Sequence, residues 1–524
     1  MQNTARASRV FRSAGAKGYL PEHPPSQPIL PTDAQYELLP GVHANAAQRY
    51  AIDRLNEFLL SDERTFTLIG RAGTGKTTIV RAVVEQAKAN RLFVGGGAVS
   101  HAAKEVLSES IGSTKVYTVA ALLAIKLNEA TGQFEPDAWA RGEGMLPIAH
   151  LDLIVIDECS MISHGMMEEI LELARPQAQV IFMGDNVQLP PIGDGDSESP
   201  TFSVSREEFT VKLTERVRQG EESPIVSLSD VLADNIEGAG ALRALTPRLR
   251  VSDYDLGSDS GLVFVREERK AVEMLVSDLQ ADPGNPRGTK AVVFNNERYT
   301  KSSQSVLNLN RRIREELHGL GAATQFNPGE IVVAYASWSE SRKFAPLVHN
   351  ALSYVVVRSS KASDRRVRFR WMGQRFDQTY GVVDLTVRDH RGDEVTVPVV
   401  AARDLVRYRA DLGRVRGALY YRLAEAFADI QYGYAVTSHK AQGATYRNVY
   451  VFEDNILGRS NPGSPVVKNK SFYVAVTRAA AKLVVVSEAN PVFVAAAPAV
   501  VEDEGQAVLE RLLASGVLKR ASEL

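Results

Sequence analysis

Thr65-Phe66-Thr67-Leu68-Ile69-Gly70-Arg71-Ala72-Gly73-Thr74-Gly75-Lys76-Thr77-Thr78 is the stretch on which the reading of this chain turns. A short β-rich run leads into a glycine-rich turn, and the apolar spacing beyond it predicts a helix over 77–89. Glycines at 70, 73 and 75 let the backbone wrap phosphate oxygens, and a helix N-terminus adds donors and a favourable dipole. Lys76 brings a point charge to the β- and γ-phosphates, and Thr77 offers a hydroxyl to Mg²⁺. The spacing sets this segment apart from a plain glycine turn before a helix. It reads as a nucleotide-binding P-loop.

Leu153-Ile154-Val155-Ile156-Asp157-Glu158 is an apolar strand that ends in two carboxylates. Downstream of a P-loop, Asp157 can hold Mg²⁺ through water and Glu158 can polarise an attacking water. A third strand, Val180–Met183, ends in Gly184-Asp185-Asn186-Val187-Gln188-Leu189-Pro190-Pro191. Further strands are expected at 91–94 and 291–295, and helices at 47–60 and 101–110. Strands alternating with helices predict an α/β fold with parallel sheets. Two stretches break the rhythm. Residues 124–150, with a turn signal at Thr131-Gly132, read as an inserted hairpin. Residues from about 325 to 415 alternate in short segments and read as a small inserted β-barrel.

The chain has 524 residues, 44% of them hydrophobic and 24% charged, with a net charge of −2. At about 150 residues per domain this predicts three or four units. No apolar run reaches the ~20 residues of a membrane span. The overall charge does not advertise a polyanion partner, so any nucleic-acid contact has to come from local placement of Lys, Arg and backbone N–H groups. The one cysteine, Cys159, fits a reducing cytoplasm and reads as a packed small side chain. Residues 1–20 carry Arg6, Arg9, Arg12 and Lys17 and no acid, and Pro21, Pro24, Pro25, Pro28 and Pro31 follow. We read 1–43 as a flexible basic, proline-rich arm, although the first twenty residues share their composition with organelle transit peptides.

The P-loop, the Asp157-Glu158 box and Gly184–Pro191, in this order, resemble superfamily 1 helicases, and within them the RecD/Dda branch. Other segments agree with that resemblance. They are Gln48, Ser100-His101-Ala102-Ala103-Lys104, Lys212–Gln219 with Arg218, Tyr434–Gly443 and Tyr473–Ala479 with Arg478. The likeness covers about 45–490 and follows the compact Dda layout. It implies two RecA-like motor domains at 44–220 and 221–524, with the hairpin a pin in the first and the barrel SH3-like in the second. It further implies ATP and Mg²⁺ as cofactors, with Lys76, Asp157, Glu158, Gln188, Arg218 and Arg478 as catalytic groups and Thr77 and Asp157 as metal ligands. Gln48, Gly70, Gly73, Thr74, Gly75, Lys76, Thr77, Thr78 and Gly443 would bind nucleotide. Ser100, His101, Thr118, Phe134, Thr437, His439 and Lys440 would touch single-stranded DNA. One departure is Val99-Ser100, where the family usually has Pro-Thr.

The expected activity is ATP-driven 5′-to-3′ movement on single-stranded DNA with unwinding of a duplex fork. A monomer in the cytoplasm is expected, serving replication, recombination or repair beside a single-strand-binding or replication protein. An RNA helicase of the same superfamily would share nearly every site residue. A nucleotide-gated strand-binding recombination subunit is a third reading, against which Lys76, Asp157, Glu158 and both arginines argue. Two features stay open at this level. Phe134, in the hairpin, either stacks on the last base pair or packs inward. Arg366-Val367-Arg368-Phe369-Arg370-Trp371 alternates, so its three arginines form either a solvated face or a nucleic-acid face.

Overall fold

The computed structural model describes residues 36–487, apart from 40–41, 114, 128–133, 138–140, 142–145, 192–196, 216–222, 238–260, 297–303, 320–324, 342–345, 372–373, 417 and 460. The first lobe is built on a six-stranded sheet in the order Thr210–Leu213, Thr65–Gly70, Gln179–Gly184, Leu153–Asp157, Val94–Ala98, Val116–Thr118. All of its pairs are parallel. Parallel strands covered by helices on both faces must be apolar throughout, and Leu153, Ile154, Val155 and Ile156 are all fully buried. One face packs on the helices Ala46–Leu59 and Lys76–Ala89 through Phe58, Phe66, Ile79 and Val83. The Phe58 and Phe66 rings lie 5.4 Å apart. Truncating either to alanine would cost about 3–5 kcal/mol.

The second strand corrects the sequence reading, which expected it at 91–94. It runs over Val94–Ala98 instead, through Gly95-Gly96-Gly97. Consecutive glycines read as a strand breaker, but here neighbouring chains leave no room for a side chain. A Cβ on Gly96 would lie 2.2 Å from the Val155 carbonyl oxygen, and one on Gly95 would lie 2.5 Å from that of Lys115. The glycines are the condition for close strand packing. The start of the chain differs as well. Within the stretch expected to be a flexible arm, Glu37–Leu39 pairs with Val42–His43, Leu38 is buried, and the Tyr36 hydroxyl donates to Asp53 at 2.7 Å.

The hairpin consists of Ile125–Leu127 and Phe134–Pro136, antiparallel, with Leu127 opposite Phe134. Phe134 therefore opens the returning strand. Its side chain and the connecting residues 128–133 lie outside the described residues.

The second lobe holds a five-stranded parallel sheet in the order Gly261–Val265, Ala479–Val486, Tyr446–Phe452, Thr289–Val293, Ala435–Thr437. Between Thr289–Val293 and Ala435–Thr437 the chain leaves this sheet and builds a six-stranded antiparallel sheet. Its strands are Ile331–Ala334, Ser353–Ser359, Ser363–Trp371, Gln374–Arg388, Glu394–Val400 and Ile430–Tyr432. The last of these falls beyond the expected insertion limit near 415. It pairs with Ile331–Ala334, and three residues later the chain is back in the motor sheet. The inserted sheet has its own core, in which Trp338, Val348, Tyr354, Leu385 and Val397 pack together. Among the described residues no helix is long and apolar enough to cross a membrane.

Candidate functional site

The P-loop connects the strand Thr65–Gly70, next to the sheet edge, to the helix Lys76–Ala89. Gly73 and Gly75 both have φ +85°, a left-handed conformation that glycine adopts without cost. A Cβ on Gly75 would also lie 2.5 Å from Gln48 Nε2. Gln48 is itself held in place. Its backbone and side chain form a reciprocal capping box with Asn45, and its Nε2 donates to the Thr74 carbonyl at 3.2 Å. A buried amide thus braces the loop from behind. The Thr74 hydroxyl donates to the Arg71 carbonyl at 3.0 Å, and Lys76 Nζ donates to the Gly70 and Arg71 carbonyls at 2.5 and 3.2 Å. Arg71 reaches across to the other lobe, pairing with Asp230 at 3.0 Å and Asp234 at 2.5 Å.

Asp157 ends the buried strand Leu153–Asp157, which Gln179–Gly184 separates from Thr65–Gly70, and Glu158 follows it. Burial, with the neighbouring charge of Glu158, pushes the Asp157 carboxyl up to about 7. The backbone N–H of Glu158 donates to it at 2.8 Å. Two acids this close in a buried place, beside one lysine, form a donor set suited to a divalent cation, with the Thr77 hydroxyl on the same cleft wall. Glu158 has φ +53°, uncommon for a residue with a side chain. Cys159, next in the chain, is fully buried, and burial pushes its thiol up to about 12. Its Sγ would lie 2.8 Å from a Cβ on Gly184, so it packs against the third strand's end.

These groups line a cleft of about 730 Å³ between the lobes. From the first lobe come Gln48, Gly73, Gly75, Lys76, Thr77, Thr78, Asp157, Glu158 and Gln188. From the second come Gly443, Thr445, Thr477 and Arg478. Gly70 and Thr74 shape the loop just behind its wall. Arg478 is nearly buried; its guanidinium donates to the Val474 and Ala444 carbonyls at 3.0 and 3.1 Å and to the Thr477 hydroxyl at 3.0 Å. Arg218 lies outside the described residues.

Contacts that the sequence did not disclose cross the cleft. The Tyr473 hydroxyl donates to Asp185 at 2.8 Å, and Lys470 Nζ donates to the Asn186 carbonyl at 3.0 Å. Gln442 Nε2 donates to Gln188 Oε1 at 3.1 Å and lies 3.4 Å from the Ser160 hydroxyl. Gly443, at φ +77°, leaves room for only 3.0 Å between a Cβ and that of Ala103. The two glutamines stood in quoted motifs, but only the fold brings them into contact.

Of the expected strand-binding residues, Ser100 lies at this junction, where a Cβ on Gly443 would stand 3.1 Å from its hydroxyl, while the Phe134 side chain lies outside the described residues. Ser100 caps the helix His101–Ile111, its hydroxyl accepting from Ala103 N at 3.1 Å. Thr118 pairs beside Ala98 at the sheet edge and caps the short helix after it. On the second lobe the Thr437 hydroxyl accepts from Lys440 N at 3.3 Å. His439 packs near Phe294, with burial holding its imidazole below the usual range. The inserted sheet adds residues that no local signal marked. The rings of His349 and His101 lie 4.5 Å apart, and Ser337 lies 3.4 Å from His101 Nε2. Lys440 Nζ sits 3.8 Å over the Tyr335 ring and donates to Asn350 at 3.5 Å. Burial pushes His101 down to about 4, so the ring is neutral at pH 7.

Comparison with known proteins gives two family matches, an AAA domain over residues 43–254 and a UvrD-like helicase C-terminal domain over 432–486. An uncharacterised protein of Acanthamoeba polyphaga mimivirus is 23% identical over 84% of this chain and 99% of its own length. The ATP-dependent RecD2 DNA helicase of Deinococcus radiodurans is 26% identical over 87% of this chain, which spans about half (51%) of that relative. The ATP-dependent DNA helicase Dda of phage T4 is 26% identical over 35% of this chain and 40% of its own. A solved Bacteroides Pif1 bound to single-stranded DNA aligns over 88% of this chain and 97% of its own, at 17% identity and a TM-score of 0.44, too distant to bear on function.

Proposed function

We propose that this chain, whose motor lobes are those of a superfamily 1 helicase of the RecD/Dda branch, hydrolyses ATP to move 5′ to 3′ along single-stranded DNA and to open a duplex. One observation carries the reading. A single cleft joins Lys76, Asp157 and Glu158 of one lobe to Arg478 and Gly443 of the other, and Lys440, in the segment ending at Gly443, contacts Tyr335 and Asn350 of the inserted sheet that packs on His101.

In this reading Lys76 leaves its loop carbonyls for the β- and γ-phosphates of the substrate. Thr77 and Asp157 would hold Mg²⁺, which supplies charge neutralisation between the phosphates when bound. Glu158 takes the proton from the attacking water. Arg478, and Arg218 from the 216–222 segment, fork onto the γ-phosphate, a role suited to a side chain that stays charged. Gln48 faces the adenine. Ser100, His101, Thr118, Thr437, His439 and Lys440 hold the strand, and the 125–136 hairpin with Phe134 stands as the wedge.

Gln442 links these halves. Gln442→Ala removes a buried amide bonded to Gln188, so strand stimulation of the ATPase should fall at least fivefold while the basal rate changes less than twofold. Steady-state rates with and without oligonucleotide check this, and an equal fall in both would leave Gln442 a packing residue only. The function itself is tested by strand displacement on 5′-tailed and 3′-tailed duplexes, in DNA and in RNA. Unwinding of the 5′-tailed DNA substrate alone is expected. Preference for the RNA duplex, for a 3′ tail, or strand binding without displacement would each replace the reading.

A further inference from the structure

The longest hairpin of the inserted sheet has two unlike faces. Residues directly opposite in an antiparallel ladder point the same way. Arg366 with Thr379, Arg368 with Asp377 and Arg370 with Arg375 therefore share one face. Val367, Phe369 and Phe376 lie on the other, where they pack partly buried against the cluster of Tyr380, Tyr408 and Phe427. The Phe369 and Phe376 rings stack 4.9 Å apart.

The first face sets four guanidiniums against one carboxylate. Asp377 accepts from Arg366 at 2.6 and 2.7 Å and from Arg375 at 2.7 Å, with Arg368 at 4.0 Å. Those arginines hold the Asp377 carboxyl well below the usual range. One acid cannot neutralise four bases, and Arg366, Arg368 and Arg375 remain 62%, 56% and 49% exposed. This local excess of three positive charges stands in a chain whose net charge is −2.

We propose that this arginine face binds the phosphate backbone of the duplex arm ahead of the motor. The inference rests on the DNA-motor reading above. Alternate residues along a strand stand about 6.6 Å apart, so Arg366, Arg368 and Arg370 form a straight row that can follow successive phosphates. Guanidinium is the side chain whose fork matches phosphate oxygens. Single strands are held by rings on which bases stack, whereas a duplex turns its bases inward and offers phosphates. The arginine face carries no ring; Phe369 and Phe376 are on the other side. The ribbon also communicates with the strand-binding junction. Phe369 and Arg422 line a cleft of about 490 Å³ that is also lined by Ser337, the residue beside His101. Ser363–Trp371 is moreover a sheet edge, and charges on an edge also discourage aggregation, a role that would leave DNA binding untouched.

The test is the variant R368Q/R370Q/R375Q, which keeps the Arg366–Asp377 pair and so the fold of the ribbon. Binding is measured across a salt series to a 5′-tailed duplex and to the same tail as a free oligonucleotide, with strand-stimulated ATPase in parallel. For the tailed duplex, the slope of log affinity against log salt should shrink by about two to three, and affinity at ~0.1 M salt should fall about tenfold or more. Binding of the free tail and stimulated ATPase should stay within twofold. An unchanged slope for the duplex overturns the proposal, as does an equal loss on the free tail, which would make the occupant a single strand. Absence of strand-stimulated ATPase in the unaltered protein would instead sink the motor reading, independently of the ribbon.

Discussion

Glu158→Gln should slow ATP turnover by about 10²–10⁴-fold, the range that a positioned proton acceptor contributes. Glutamine keeps the size and shape of the side chain, so the left-handed backbone at Glu158 and the end of the strand should be preserved. It cannot accept the proton of the attacking water. Nucleotide and strand affinities should therefore stay within about threefold of the unaltered protein, because neither depends on that transfer. Single-turnover hydrolysis, with equilibrium binding of a non-hydrolysable nucleotide, separates the two quantities. Hydrolysis within tenfold of normal would remove Glu158 from the chemical step, and a parallel loss of binding would mean that the loop had collapsed.

Lys76→Ala should act differently, lowering both affinity and rate. The ammonium now donates to the Gly70 and Arg71 carbonyls, and among the described residues no acid forms an ion pair with it. A hydrogen bond to a charged partner contributes about 1.5–3 kcal/mol, and its loss should weaken ATP binding about 10–100-fold. Turnover at saturating ATP should fall at least as far, because in the proposed site the same charge would face the transferring phosphoryl group. The fold should survive, since the loop keeps its Gln48–Thr74 brace. Titration calorimetry with ATP and a thermal melt in the absence of nucleotide check the two halves. Normal affinity in the alanine variant would contradict the assignment of this loop.

Both predictions concern residues legible in the sequence, for a physical reason. A phosphate-binding loop is local: strand, glycines, lysine and helix follow one another, and spacing alone declares them. Gly95-Gly96-Gly97 shows the opposite case. Its glycines are required by the Val155 and Lys115 carbonyls, 59 and 20 residues further along the chain, so local propensity put the strand in the wrong place. Likewise Tyr335, Ser337 and His349 carry no motif. They enter the site because the inserted sheet folds back onto His101 and Lys440. The alternation of 366–371 was readable as two faces, but the one-to-four imbalance around Asp377 depended on strand register.

The bond between Gln442 and Gln188 also bears on thermodynamic reciprocity. A neutral hydrogen bond of this kind contributes about 1 kcal/mol net, roughly a fivefold change in an equilibrium constant. If strand occupancy raises nucleotide affinity through this bond, bound nucleotide must raise strand affinity by the same factor, because equilibrium linkage has no direction. A cycle built on it therefore cannot tighten on fuel without tightening on track. Net travel then has to come from the irreversible step between the two, with the amide pair setting how strongly each grip reports on the other.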